Sequence, residues 1–461
     1  MATPVTTDAP ERPAASSAAL TGWVLFDWAA QPYYTLILTF LFAPYFANAV
    51  VGDAARGQAI WGYAAAAAGI LVGIGSPLLG ALADGRGRRK PWIALFSLFM
   101  AGGMAALWIA APGTTGLTLW LIVLAFVVAT IAAEFTTVFT NAIMPTLVPP
   151  SRIGRLSGIG WGVGYAGGLV SLAIMAGLIV TNPATGKTLL GLEPLFALDT
   201  ATREGDRLVG PFAAAWYLVF MLPFFLFVPD ARPVPAVGGA RPSALAELWS
   251  TVRELPSHRD MLLFLIARAI YIDGLSAIFV FGGIYGASVF GWQAFELGLF
   301  GIVLTLTGAI GAVIGGFLDD RWGSRRVIIV SLLVLLLGAI GILSVSRTHV
   351  LFNVDVAVKV PGSRPFSSTG ELVYLAFALL IGVVAAPVQA ASRSLLARLA
   401  PPEKMTQFFG LFAFSGKVTA FAAPFLIATI TTLTGSQRAG MTVIAAFLLT
   451  GMLVMLFVRA R

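Results

Sequence analysis

The feature that most constrains this 461-residue chain is a series of unbroken apolar runs, 18 to 27 residues long, repeated from end to end. At 1.5 Å per helical residue, such a run crosses a hydrocarbon core of roughly 30 Å. A helix on the surface of a soluble protein is shorter and keeps a polar face. Only 11% of the residues are charged and 58% are hydrophobic, where a soluble chain carries about a quarter charged residues. The mean hydropathy is +0.90. These runs predict an all-α membrane protein of twelve transmembrane helices, at about 22–48, 59–83, 92–111, 118–143, 156–181, 211–229, 261–286, 295–318, 327–345, 372–394, 407–432 and 439–458. Residues 1–21 are rich in Ala, Pro, Ser and Thr and read as a disordered tail. They lack the separate short apolar region of a cleaved secretory signal.

The net charge of +8 has a topological explanation. With an even number of spans, alternate loops share a side. One set carries Arg12, Arg86, Arg88, Arg89, Lys90, Arg152, Arg155 and ten further bases up to Arg459, then Arg461, eighteen in all; the other carries eight. Cytoplasmic loops concentrate Lys and Arg, so both termini are expected in the cytoplasm of a multi-pass plasma (inner) membrane protein. A nucleic-acid partner is not implied. The chain has no cysteine and only His258 and His349 as histidines, which excludes thiolate and histidine-cluster metal sites.

The two halves repeat each other. Gly80-Ala-Leu-Ala-Asp84-Gly-Arg86-Gly87-Arg88-Arg89 returns, 236 positions later, as Gly316-Phe-Leu-Asp-Asp320-Arg321-Trp-Gly323-Ser-Arg325. Val148-Pro-Pro-Ser-Arg152 with Gly158 and Gly164 returns 252 positions later as Ala400-Pro-Pro-Glu-Lys404 with Gly410 and Gly416. Asp27 in the first span pairs with Asp273 in the seventh. Parallel repeats imply two pseudo-symmetric six-helix bundles with a solute site between them. The bundles are expected at 22–229 and 261–461, joined by a cytoplasmic linker at 230–260 whose segment 243–256 could lie as an amphipathic helix at the membrane interface.

The Gly80–Arg89 pattern resembles the loop signature of the major facilitator superfamily. Gly80, Leu82, Asp84, Gly87, Arg88 and Arg89 match it, while Gly85 stands where that family usually has arginine; Arg321 supplies the arginine in the second copy. The resemblance implies alternating access, with Asp84, Gly87, Arg88, Arg89, Asp320, Arg321, Gly323 and Arg325 as a conformational latch. Within the superfamily the chain is similar to the vacuole-effluxer-like branch, known for amino-acid export from fungal vacuoles. That likeness rests on Phe26-Asp27-Trp28, Gly154-Arg155-Leu-Ser157-Gly158, Tyr271-Ile-Asp273-Gly274, Gln389-Ala-Ala-Ser392-Arg393 and Phe408-Phe409-Gly410 into Ser415-Gly416-Lys417. It departs at Ala30-Gln31, where the branch often has Asn-Ser. The implied activity is secondary transport of a small solute, as in efflux of amino acids or other small metabolites coupled to protons.

Six ionisable residues fall inside predicted spans: Asp27, Glu134, Arg268, Asp273, Arg393 and Lys417. Each costs about 2.5–3.5 kcal/mol at a helix centre on insertion scales, so each must find a partner or water. Asp27, Gln31, Tyr34 and Thr35 share one helical face; so do Thr130, Glu134, Thr137 and Asn141; Gln389 and Arg393 are one turn apart. In the superfamily's architecture spans one, four, seven and ten line the cavity, so these stripes would face it. The expectation is a cytoplasmic-side cluster of Asp27, Glu134, Arg268 and Arg393, with Asp273 and Lys417 beside the solute at midplane. Interhelical ion pairing with a purely structural role is the alternative. Gly69/Gly73, Gly158/Gly162, Gly164/Gly168 and Gly311/Gly315 predict close helix packing, and Pro32, Pro77, Pro145, Pro387 and Pro424 predict kinks.

An enzyme would need a nucleophile, base or metal cluster; Gly-x-Ser-x-Gly and His-Glu-x-x-His are absent. The run from Gly410 to Gly416-Lys417 has five residues between its glycines and Val418 where a phosphate loop needs Ser or Thr, so no nucleotide or other cofactor is expected. The expected partners of a monomeric chain are a solute, protons and membrane lipid. A lipid scramblase or a receptor of the same fold is the rival class.

Overall fold

A computed structural model describes residues 14–182, 185–230, 243–292, 294–360 and 364–459. Tail residues 1–13 with Arg12, linker residues 231–242 with Pro233, Pro235 and Gly238–Gly239, and Arg461 lie outside the described residues. Among the described residues, eleven helices are long and apolar enough to cross a membrane. Spans one to six are Ser17–Val50, Arg56–Arg86, Lys90–Ile109, Gly116–Leu147, Pro150–Ile179 and Glu204–Phe227. Spans seven to ten are Arg259–Phe290, Glu296–Trp322, Ser324–Leu343 and Thr369–Leu399, and span twelve is Gln437–Leu456. The only strands among the described residues are two-residue segments in the loop after span nine, His349–Val350 and Val354–Asp355.

Two elements differ from the hydropathy reading. Span eleven, expected as one helix over 407–432, is two: Met405–Ser415 and Ala422–Thr434, with Gly416–Phe421 unwound between them. Pro424 has no N–H to give to a preceding carbonyl, and sits near the start of the second piece, where that loss is harmless. Span one starts at Ser17, inside the expected tail, because the Ser16 hydroxyl caps it by accepting from the Ala19 amide at 3.2 Å. It widens to a π-type helix over Tyr33–Phe40, directly after Pro32. The Trp28 carbonyl, which a residue other than proline at position 32 would satisfy, accepts instead from the Trp216 indole at 3.2 Å. The linker helix Ala244–Glu254 packs on span two, with Thr251 donating to Gln407 at 3.3 Å.

Span one packs on five and six, and span three on four and six; seven packs on twelve, and ten on eight and nine. Between these two bundles, span five meets span eight and span two meets the first piece of span eleven. Both described ends lie at one face: the Ala15 amide donates to Leu147 O at 2.7 Å, and the Arg459 amide to Asp260 at 2.8 Å. We call this the terminal face and the other the distal face.

The glycines of span two measure how the bundles diverge. At Gly80, nearest the terminal face, a Cβ would come within 2.6 Å of Thr406 O; at Gly73 the nearest atom, on Phe414, is 3.5 Å away; at Gly69 and Gly62 nothing lies within 4 Å. Gly69 therefore makes none of the packing its spacing with Gly73 predicted. Span eight runs the same way: a Cβ at Gly316 would come within 2.8 Å of Gly154 O, at Gly301 it would meet only the Phe40 ring of span one at 3.4 Å, and at Gly298, near the distal face, nothing lies within 4 Å. The bundles touch at the terminal face and part toward the distal one.

Candidate functional site

The latch residues explain the contact at the terminal face. Asp84, at the end of span two, accepts from the Thr406 hydroxyl at 2.5 Å, the Thr406 amide at 3.2 Å and the Gln407 amide at 2.9 Å. These are first-turn amides of span eleven, which no intrahelical carbonyl can satisfy. Asp320, at the end of span eight, accepts from the Gly154 amide at 2.8 Å and the Arg155 amide at 3.1 Å, in the first turn of span five. Gly154 and Arg155 relate to Thr406 and Gln407 by the 252-position repeat. Each half thus caps a helix of the other, and a carboxylate at a helix N-terminus also meets the positive end of the macrodipole.

Arg89 supports the first latch, bonding Asp84 at 3.1 Å, Thr406 Oγ1 at 2.7 Å and Ala142 O at 3.1 Å. Gly87 and Gly323 supply the left-handed turns, with φ of +72° and +84°. The other bases behave differently from the expectation. Arg88 and Arg321 are exposed, and Arg325 reaches Leu456 O at 2.7 Å. The bases at the second latch are Arg398 of span ten, 2.6 Å from Asp319 and 3.4 Å from Asp320, and Arg155 of span five, 3.7 Å from Asp320. Charge counting placed Arg398 among the bases of this side but not at the latch, because it comes from a separate helix.

Above the latches lies a cavity of about 610 Å³ between the bundles. Two ion pairs cross it. Asp27 of span one faces Arg393 of span ten at 3.2 Å, and Glu134 of span four faces Lys417, in the unwound stretch of span eleven, at 3.0 Å. Arg393 is spent entirely on the other bundle. It donates to Ser157 Oγ at 2.8 Å, Ser157 O at 2.6 Å and Asn141 Oδ1 at 3.1 Å, and stands 5.0 Å over Trp23. Arg268 donates to Phe412 O at 2.5 Å and Ser415 Oγ at 2.8 Å, and stacks 3.4 Å over the Phe412 ring. Glu134 and Lys417 keep side-chain exposures of 21% and 35%, against 18% for Asp27 and 5% for Arg393. The carboxylates are similarly exposed, and Lys417 is the base more open to an incoming molecule.

Gln31, Tyr34, Asn141 and Gln389 also line the cavity. Gln31 lies 3.5 Å from Thr35 Oγ1, and Gln389 donates to Ala385 O at 3.1 Å. Lys417 pairs with Glu134 rather than joining Asp273. Asp273 does not line the cavity at all; Arg268, Ile272 and Ser276 do. Those three recur every four residues, and Asp273 points about 140° away from Arg268, about 100° from Ile272 and about 60° from Ser276. Trp161 and Tyr165 of span five line the cavity unanticipated; their four-residue spacing was the available signal.

Gly160 is where the first pair constrains the backbone. A Cβ there would come 2.5 Å from Asp27 Oδ2 and 3.2 Å from Arg393 Nη2. Gly160→Ala is expected to prise the pair apart and lower stability by about 1–3 kcal/mol, read as a lower thermal-unfolding temperature with reduced transport. Gly102→Ala, where nothing lies within 4 Å, serves as the neutral control; equal behaviour of the two would refute this packing role.

Residues 49–461 match the family described as "Vacuole effluxer Atg22 like". The chain is 24% identical over 442 residues to the uncharacterized MFS-type transporter YxiO of Bacillus subtilis, covering 95% of this chain and 94% of that one. It is 25% identical over 319 residues to autophagy-related protein 22-1 of Aspergillus niger, covering 66% of this chain and 47% of the fungal one. The chain thus spans about half the length of the fungal relatives it matches. Among solved structures, the major facilitator superfamily transporter FucP in the outward conformation aligns with a TM-score of 0.69 at 14% identity, over 96% of this chain and 99% of that one. The human organic anion transporter MFSD10 aligns with a TM-score of 0.66 at 18% identity, over 95% and 99%. These likenesses establish the fold.

Proposed function

Because this chain belongs to the Atg22-like vacuole effluxer family and is a secondary transporter of major-facilitator fold, we propose that it exports a small amphoteric solute, of the amino-acid class, in exchange for protons. One observation carries the substrate class: the half-open Glu134–Lys417 pair offers a carboxylate and an ammonium 3.0 Å apart in the cavity. A solute bearing both charges can replace each partner by its own group, so the pair opens without leaving a bare charge at membrane depth. A singly charged solute satisfies one side and strands the other. Arg268 and Gln389 add donors for a carboxylate.

The two halves, 22–229 and 261–461, would rock about the cavity, with the terminal face in the cytoplasm and the chain in the plasma membrane. The basic-loop asymmetry supports that orientation. The described state has the terminal latches engaged and the cavity open distally, which is the state that releases an exported solute.

The test is exchange of radiolabelled proteinogenic amino acids across proteoliposomes. Wild type should exchange at least one of them, and Glu134→Ala and Lys417→Ala should each slow it by about tenfold or more. Lipid flipping without amino-acid exchange, or exchange untouched by both substitutions, would reject this reading.

A further inference from the structure

Of the acids Asp27, Glu134 and Asp273 inside the expected spans, only Asp273 does not line the cavity. It is 3% exposed, its Oδ2 has no hydrogen-bond partner, and among the described residues it makes no ion pair. Every nearby charge is committed elsewhere. On its own helix, Arg268 serves Phe412 O and Ser415 Oγ, and the Tyr271 hydroxyl meets Ser392. On span eleven Lys417 is paired with Glu134, and on span ten Arg393 with Asp27. Span twelve presents Ile444, Phe447 and Leu448 to the neighbouring Gly274, and its Arg438 stacks on Phe352.

The Thr419 hydroxyl, in the unwound stretch of span eleven, meets span seven at Ala269, one turn before Asp273, within reach of the carboxyl. That hydroxyl already donates to Ala269 O at 3.2 Å. A hydroxyl has one proton to give, so it has none left for a carboxylate. It does have a lone pair to receive. Protonation removes the conflict at that hydroxyl: the acid can donate to Thr419 Oγ1 while Thr419 donates to Ala269 O, and the oxygen left without a partner is then a neutral one, cheaper to bury than a charged one.

We propose that Asp273 and Thr419 form a proton site outside the solute cavity, loaded in the described state and emptied when span eleven rearranges. A proton from water in the distally open cavity, lined by Ile272 and Ser276 on either side of Asp273, binds the carboxylate to give the acid; the acid returns it to water once the other face opens. A metal cation fits poorly, since hard cations need six or more oxygen ligands and Ala269 O is already engaged. Span eleven is the physical link. Its first turn is held by Asp84, Lys417 lies in the cavity, and Thr419 is two residues further along the same unwound backbone. Displacing Lys417 therefore displaces Thr419.

This inference deepens the proton-exchange reading above and is tested apart from it. The chain has no cysteine, so spin labels at Arg152→Cys and Glu403→Cys, exposed on the terminal side of the two halves, report opening of that face in the otherwise intact protein. Across about pH 5 to 9, wild type should titrate between two distance distributions. Asp273→Asn, which mimics the neutral acid, should hold the low-pH distribution throughout, and Thr419→Val should titrate with a displaced midpoint. A wild-type titration reproduced unchanged in Asp273→Asn would overturn the proposal. So would a wild type indifferent to pH, or one answering to sodium at fixed pH instead. Amino-acid exchange by wild-type vesicles tests the solute reading independently, because it needs no pH response.

Discussion

Arg393→Ala is expected to bring solute exchange to background and to destabilise the protein by about 3–5 kcal/mol, the cost of breaking a buried ion pair from one side. Arg393 comes from span ten, yet its hydrogen bonds go to spans one, four and five: Asp27, Asn141 and Ser157. Its removal strands Asp27 and empties three acceptor positions at once, at a depth where water is a poor substitute. Asp27→Asn combined with Arg393→Gln leaves no bare charge and should recover most of the unfolding temperature. It should not recover exchange if the pair works in the cycle. Thermal unfolding and exchange measured on both variants separate the two roles. If the double variant exchanges like wild type, the pair is structural only, which is the alternative that the sequence left open. Arg393→Lys keeps the charge but not the fork of donors, and should fall between.

The second large effect concerns the latches. Asp84 and Asp320 each cap a helix of the opposite half, and loss of such a cap costs about 0.5–2 kcal/mol. The two sites are on different helix pairs, so the losses should add. Since every 1.4 kcal/mol is tenfold in an equilibrium, Asp84→Ala with Asp320→Ala should shift the closed-to-open ratio of the terminal face by roughly 5- to 1,000-fold. Alanine is the right replacement, because asparagine still caps. The label pair at Arg152→Cys and Glu403→Cys reads the result directly: the single variants should broaden the distance distribution and the double variant should move its centre. An unmoved distribution in the double variant would mean that glycine packing at Gly80, Gly158 and Gly316 alone holds that face shut.

The broken span eleven connects these expectations. One segment carries the Asp84-capped turn at Thr406, the cavity ammonium of Lys417 and the hydroxyl of Thr419. A continuous helix would transmit a shift along its axis only. An unwound stretch lets Lys417 and Thr419 move relative to the capped turn, at the expense of backbone groups that must be satisfied locally; the Val418 and Ala422 amides do so by bonding Phe414 O at 3.0 Å and Thr419 O at 2.7 Å.

Spans, parity, the internal repeat and the polar stripes on spans one, four and ten could all be read along the chain. Each depends on periodicity or on the cost of a charge in hydrocarbon, and both are local properties of a helix. Asp84 and Asp320 were recognisable for the same reason, since a carboxylate at a helix end with a following glycine repeats visibly. Which acid meets which base was settled by the packing. Lys417 lay with Asp273 by depth but pairs with Glu134; Arg398 replaced Arg321 and Arg325 at the second latch; Gly69 faces a gap that Gly73 closes. Rotation of one helix against another sets these partners, and a rotation of about 100° between neighbouring residues is enough to move Asp273 out of the cavity that Ile272 lines. Sequence spacing fixes angles within a helix, whereas only the packed bundles fix the angle between helices, and the site is made of the second kind.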